Sequence, residues 1–305
     1  MSDTPRYIDL QVNGYVGVDF NGNEVTVERL HAACVALRRD GVAGILATII
    51  TDAVDRMAGR LKQIARARQE DPLVRDMVWG FHVEGPFLNE APGYAGAHPV
   101  EHVRPAGVDA MRCLLDAADG LVRLVTLAPE RDAGLKVTSF LARQGILVAA
   151  GHCDPSLDQL RAAIDAGLSL FTHLGNGCPM VMHRHDNIIQ RALSLSDRLT
   201  MCFIGDGVHV PYPALGNYLR LAGVERSVVV TDAISAAGLG PGRHRLGAQT
   251  IDIGEDLVAW SPDHTHFMGS TATMPRMVAG MRDALGLSPQ QIEQLIVHNP
   301  LRILK

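Results

Sequence analysis

The chain has 305 residues, with 28 basic and 33 acidic side chains and a net charge of −5. Hydrophobic residues make up 47% and charged residues 20%, which excludes a disordered, collagenous or coiled-coil chain and gives a core able to fold without disulfide or metal staples. The acidic balance argues against nucleic-acid binding, which wants a basic face, and no apolar run reaches the roughly 20 residues of a membrane span.

In chain order, short Val-, Ile- and Leu-rich runs predict strands over 7–14, 42–50, 78–84, 122–127, 146–152, 169–174, 200–205 and 227–231. Such runs, with little polar alternation, are typical of strands buried on both faces of a parallel sheet. Helical stretches lie between them. Residues 28–39 place Leu30, Ala33, Cys34 and Leu37 at helical spacing. Residues 52–69 follow strand two, with Asp52 as the expected cap. Residues 156–166 are opened by Pro155 and closed by Gly167. Further helices are expected over 213–221 and 270–284. Eight strands, each followed by helical sequence, predict a (β/α)8 TIM-like barrel. A doubly wound sheet usually carries a Gly-rich phosphate turn after its first strand, and Asn13-Gly14-Tyr15-Val16-Gly17 matches that poorly. With no repeats or flexible linkers, 1–305 is expected to be one domain. The long connection 240–267 is expected to hold a hairpin of 250–253 with 256–259.

The first five residues are polar, without a signal-peptide core. Five scattered cysteines (Cys34, Cys113, Cys153, Cys178, Cys202) form no CxxC pair. Both features fit free thiols in a reducing cytoplasm.

Polar residues collect at the C-terminal ends of the expected strands: Gln11 and Asn13, Glu84, His152, His173, Asp206 with His209, and Asp232. In a (β/α)8 barrel these ends share the face that carries the active site. Glu84, His152 and His173 offer one carboxylate and two imidazoles, a set that suits one divalent ion with a position left for water. Zn2+ is the default, and Fe2+, Co2+ or Mn2+ can use the same donors. Such an ion brings the pKa of water down to about 7. Asp232 then serves as the general base and acid. The chemistry implied is metal-assisted hydrolysis of an amide or ester.

Each residue alone has a structural use. Glu84 can accept from turn amides, Asp232 can cap a turn, and either histidine can sit beside one. The reading rests on the set, on different strands at matching ends. His82 lies one step deeper than Glu84 and is expected in the core or in support. His31, His102, His244, His264, His266 and His298 fall in polar or helical stretches and are expected to be solvated, and Cys153 is expected to pack. A Ser/His/Asp triad lacks its G-x-S-x-G elbow.

At these residues the chain resembles the N-acetylglucosamine-6-phosphate deacetylase family of the amidohydrolase superfamily. The resemblance is carried in order by Ile8-Asp9-Leu10-Gln11-Val12-Asn13-Gly14, by the stretch from Gly80 to Asn89, and by Gly96-Ala97-His98-Pro99. It continues through Ala150-Gly151-His152, Thr172-His173-Leu174-Gly175-Asn176, Asp206-Gly207-Val208-His209-Val210, Val230-Thr231-Asp232-Ala233, Gly269-Ser270 and Asn299-Pro300.

The resemblance implies metal ligation by Glu84, His152 and His173, with Asp232 as catalytic acid/base. It implies a single ion, because Gln11 and Asn13 stand where other superfamily members carry a His-x-His pair. Ala97 and His98 match a substrate-contact position, His98 polarising the acetyl carbonyl or holding a sugar hydroxyl. Asn176 and Gly177 match a phosphate-contact pair, Asp206 through His209 another substrate stretch, and Phe267, Met268 and Gly269 the last. Arg184 matches an arginine that reaches the sugar phosphate of a neighbouring subunit, which implies a homodimer. The small β-sandwich that family members build from both chain ends is not expected here, and the loops around His98 and Arg184 depart from the commoner pattern.

The expected substrate is therefore an amino-sugar phosphate. Two alternatives stand beside it. One is an amidohydrolase acting on an N-acyl amino acid, a cyclic amide or an unphosphorylated sugar. The other is a non-catalytic sugar-binding barrel.

Overall fold

The computed structural model describes residues 6–23, 25–246, 249–255, 258–260 and 267–305. Eight strands form one parallel sheet in chain order: β1 Tyr7–Val12, β2 Val42–Ile50, β3 Val78–Glu84, β4 Val122–Leu127, β5 Leu147–Ala150, β6 Leu170–Phe171, β7 Thr200–Ile204 and β8 Ser227–Val230. Helices separate the strands, and the sheet curls into the expected (β/α)8 barrel. Its strands are buried nearly throughout, as β2 shows with Val42, Ile45, Leu46, Ala47 and Ile49 inaccessible or almost so. Each fully buried side chain of this size contributes about 1.5–3 kcal/mol relative to exposure.

Strands β2, β3 and β4 run as the apolar pattern predicts. Strands β5 and β6 stop earlier than expected, at Ala150 and Phe171. The reason lies in the backbone. His152 and His173 take φ values of 52° and 29°, in the left-handed region, so neither continues an extended strand. Both histidines instead sit on the turns that leave the barrel rim.

Local chemistry explains most helix starts. Thr26 caps Val27–Arg39 by accepting from Arg29 N. Ser156 and Gln159 form a reciprocal capping box on Leu157–Asp165. Asp52 does not cap the next helix as expected; Val54–Glu70 starts behind Ala53 with no side-chain cap. The Asp52 carboxylate is drawn instead to two guanidinium groups, Arg56 Nε and Arg60 Nη2, both at 2.7 Å. Asn299, fully buried, donates to the carbonyls of Val224 and Ser227 at 2.7 Å each and ties the C-terminal helix Asn299–Leu304 to the start of β8.

Beyond β8, strands Gly242–Leu246, Gln249–Ile253, Val258–Trp260 and Phe267–Ser270 form a four-stranded antiparallel sheet. Ala236, Ile251, Ile253 and Ala259 give it a small core of its own. A bridge between Ala233 and Ser270 fixes it to the end of β8. Of the expected hairpin, residues 256 and 257 lie outside the described residues.

Candidate active site

Six strand ends bring side chains to one cavity of about 420 Å³ at the C-terminal face of the barrel. They are Asn13 after β1, Glu84 on β3, His152 after β5, His173 after β6, His209 after β7 and Asp232 after β8. Ala97, His98, Asn176, Gly177 and Gly269 line it too. Asp19, Asn21, Ser235 and Ile251 also reach its wall; no motif in the sequence marked them.

Glu84 Oε1 lies 2.8 Å from His173 Nε2 and 3.2 Å from His152 Nε2, and the two imidazole nitrogens are 3.1 Å apart. All three side chains are buried. His152 Nδ1 is 2.7 Å from the Tyr94 carbonyl. A carbonyl can only accept, so Nδ1 carries the hydrogen and Nε2 turns its lone pair inward. The triangle thus collects a carboxylate and imidazole nitrogens at spacings close to the roughly 3.3 Å edge of a tetrahedron of zinc ligands. The donor set fits a divalent cation. Burial pushes the Glu84 carboxyl up; when the two rings are protonated, with no cation between them, their hydrogen bonds and charge outweigh that and hold it well below the usual carboxylate range.

His98 also comes near, its Nε2 4.0 Å from Glu84 Oε2. Its Nδ1, however, accepts from Thr51 N at 3.3 Å and lies 2.8 Å from Thr51 Oγ1. The other nitrogen therefore bears the hydrogen and offers a donor to the cavity rather than a lone pair. Burial lowers His98 to about 3, so the ring stays neutral. His82 lies one layer deeper, as expected, with Nε2 2.7 Å from Thr126 Oγ1.

Asp232 lines the cavity with φ 50° and accepts from Asn13 Nδ2 at 2.7 Å. Burial, then the negative charge of Glu84, raises its pKa, which strengthens it as a base. Gln11 Nε2 donates to Glu84 Oε2 at 3.1 Å. One amide near the end of β1 and one just past it thus hold the two acids of the site. Six described non-glycine residues have positive φ, and three of them are His152, His173 and Asp232. Strained backbone concentrated in this way points to a functional rim.

Asp206 stands behind the cavity wall. Its Oδ1 accepts from the amides of Val208 and His209 at 2.8 and 2.9 Å, and its Oδ2 lies 2.6 Å from His209 Nδ1. His209 is the member of this pair that reaches the cavity.

Gly177 lies against the His152 ring. A Cβ there would sit 2.8 Å from His152 Nδ1, at a φ of 61°. Gly177→Ala is therefore expected to displace the ring from Tyr94 and weaken metal affinity by about 10- to 100-fold. Chelator competition checks this, with Asn176→Ala retaining wild-type affinity.

Arg184 is exposed and does not line the cavity. Among the described residues, the lining holds no Lys or Arg. Phe267 and Met268 lie on the strand Phe267–Ser270, beside the lining residue Gly269; His264 and His266 lie outside the described residues.

A barrel with this donor set at its C-terminal rim is of the amidohydrolase type. No family model matches the chain. It is 34% identical over 310 residues to the N-acetylglucosamine-6-phosphate deacetylase of Bos taurus, covering 98% of this chain and 74% of that enzyme. It is 31% identical over 301 residues to the N-acetylgalactosamine-6-phosphate deacetylase of Escherichia coli O157:H7, covering 98% and 77%. The crystal structure of N-acetyl-D-glucosamine-6-phosphate deacetylase from Mycobacterium smegmatis superposes with a TM-score of 0.87 at 30% identity, over 99% of this chain and 78% of that one. The chain belongs to the N-acetylglucosamine-6-phosphate deacetylase family.

Proposed function

We propose that the chain hydrolyses the acetamide of N-acetylglucosamine-6-phosphate, releasing acetate and glucosamine-6-phosphate. The observation that carries this is the triangle of Glu84, His152 and His173 opening on the same cavity as Asp232. Glu84, His152 and His173 would hold one divalent ion, zinc by default, which when bound acidifies water and polarises the amide carbonyl.

The chain's own groups do the rest. Asp232, raised in pKa and steadied by Asn13, takes the proton of the attacking water and returns it to the departing amine. His98, its hydrogen fixed on Nε2 by Thr51, donates to the carbonyl oxygen as negative charge grows there. Gln11 keeps Glu84 in place. Asn176 and Gly177 face the phosphate, and Ala97, His209 and the segment Phe267, Met268 and Gly269 bound the rest of the substrate.

We assign the phosphate contact to Arg184 of a second copy in a homodimer. The lining described above has no Lys or Arg of its own. The Arg184 loop also carries Met180 and Val181, 101% and 89% exposed, which an interface would cover. Arginine suits the task because its planar fork grips phosphate. All five cysteines are unpaired, and no helix among the described residues is long and apolar enough to cross a membrane. The unpaired cysteines suit a reducing cytoplasm, and one continuous core running from Ile8 to Ile296 favours a single domain.

Acetate release from N-acetylglucosamine-6-phosphate, its galactosamine epimer and the unphosphorylated sugars, with metal content measured on the same sample, tests the reading. Turnover is expected to be highest on a phosphorylated sugar. Arg184→Ala is expected to raise KM for that substrate about 10- to 100-fold, the usual cost of losing a charge-assisted bond. Equal turnover with and without phosphate would favour an amidohydrolase of other specificity, and absence of turnover and metal with tight sugar binding would favour a non-catalytic barrel.

A further inference from the structure

The barrel has one seam where side chains take over from the ladder. Strand β1 pairs in parallel with β2, with register shifts after Tyr7 and after Asp9, and β8 pairs without a shift with β7. Between β1 and β8 the described backbone pairing begins only at the last residue of β1 and past the end of β8, at the bridge of Val12 with Ala233 and at Asn13 N, which donates to Ala233 O at 2.7 Å. One turn below, the Asp9 carboxylate spans the gap. It is 1% exposed. Its Oδ1 accepts from Thr231 N at 3.1 Å and Gln11 N at 3.3 Å, and its Oδ2 accepts from Thr231 Oγ1 at 2.5 Å. Thr231 Oγ1 in turn accepts from Ala233 N at 3.1 Å.

Asp232 is the residue between these two anchored neighbours. Below it, Thr231 is fixed by amide and hydroxyl to Asp9. Above it, Ala233 is fixed by its amide to Thr231 and by its carbonyl to Asn13. The backbone between is in the left-handed region, which costs free energy for a non-glycine residue and persists only where its surroundings over-determine it.

We propose that Asp9 is a positioning residue for Asp232: by clamping Thr231 across the seam it holds the backbone that presents the Asp232 carboxylate to the cavity and to Asn13 Nδ2. The chemistry of the clamp calls for a carboxylate. Three donors converge on two oxygens that both accept. An amide of the same shape would turn its N–H toward Thr231 Oγ1, whose hydrogen would then have to go to the Gln11 carbonyl at 3.4 Å, a longer bond than the 2.5 Å one it makes to Asp9. The inference rests on Asp232 as the acid/base of the proposed reaction, and the test separates the two.

Asp9→Asn is made in the full, metal-loaded enzyme. The expected result is a kcat about 10- to 100-fold lower, the cost of misplacing a reacting group by about 1 Å, with KM within about threefold and bound metal per chain unchanged. In an Asp232→Asn background the same substitution is expected to cost no further turnover. A wild-type kcat for Asp9→Asn, beside a crippled Asp232→Asn, overturns the clamp alone. Full turnover in Asp232→Asn sinks the assignment of Asp232 itself, and the clamp with it. A loss that multiplies in the double variant, or that comes with lost metal and a raised KM, marks Asp9 as a strut of the barrel and overturns the proposal. If Asp9→Asn does not fold, Thr231 decides. Thr231→Ser keeps the hydroxyl and is expected to keep kcat, whereas Thr231→Val is expected to lose about tenfold at constant KM; equal kcat values for the two overturn the proposal.

Discussion

Replacing Asp232 by Asn is expected to lower kcat by roughly 10²- to 10⁴-fold, the usual weight of general acid–base catalysis, while the protein keeps its metal. The carboxylate accepts from Asn13 Nδ2 at 2.7 Å, and an amide oxygen can accept that same bond. Size and position are thus preserved, and what disappears is the capacity to take and return a proton. Burial and the charge of Glu84 have already raised this group's pKa, which is the direction a base near neutral pH requires. Steady-state kinetics with metal analysis on the same preparation reads both halves of the expectation. Retained turnover would remove Asp232 from the chemistry.

Glu84→Ala is expected to abolish both metal binding and turnover. The carboxylate is the one anionic member of the triangle, 2.8 and 3.2 Å from the two imidazole nitrogens. Without it, two neutral nitrogens 3.1 Å apart are left to hold a dication in a buried site, where charge left uncompensated by an anion is strongly disfavoured. Metal per chain, measured after gel filtration, is expected to fall from about one to near zero. Gln11→Ala removes a neutral hydrogen bond to the same carboxylate and is expected to keep the metal. A metal-replete Glu84→Ala would move ligation elsewhere in the cavity.

How much of this was legible in the sequence depends on which physical signal each feature leaves. Strands β2, β3 and β4 buried on both faces write an unbroken apolar run, so their limits could be read directly. Glu84, His152, His173 and Asp232 were legible because a polar residue closing such a run has one place to go, the barrel rim. The early ends of β5 and β6 were not. Positive φ at His152 and His173 is imposed by the surrounding structure and has no residue signature unless the residue is glycine. The groups that set the histidine tautomers, the Tyr94 carbonyl and the Thr51 amide, are backbone atoms that every residue possesses.

Asp52 looked like a helix cap because Asp favours that position; Arg56 and Arg60, one and two turns further on, were the competing signal. Gly177 could be matched to a substrate loop, but its packing on the His152 ring is a tertiary contact that composition does not carry. Asp9 stood in a quoted motif without a role, since its partner Thr231 lies 222 residues away.

The three left-handed residues at the rim set durability against chemistry. Each holds its backbone at a cost of about 1–3 kcal/mol, and glycine at any of them would relax that tension while removing a ligand or the acid/base. An inert relative of this barrel, freed of its task, could therefore be sturdier than the working enzyme. Attempts to make the enzyme more heat-resistant should leave 152, 173 and 232 alone and work on the distant helices.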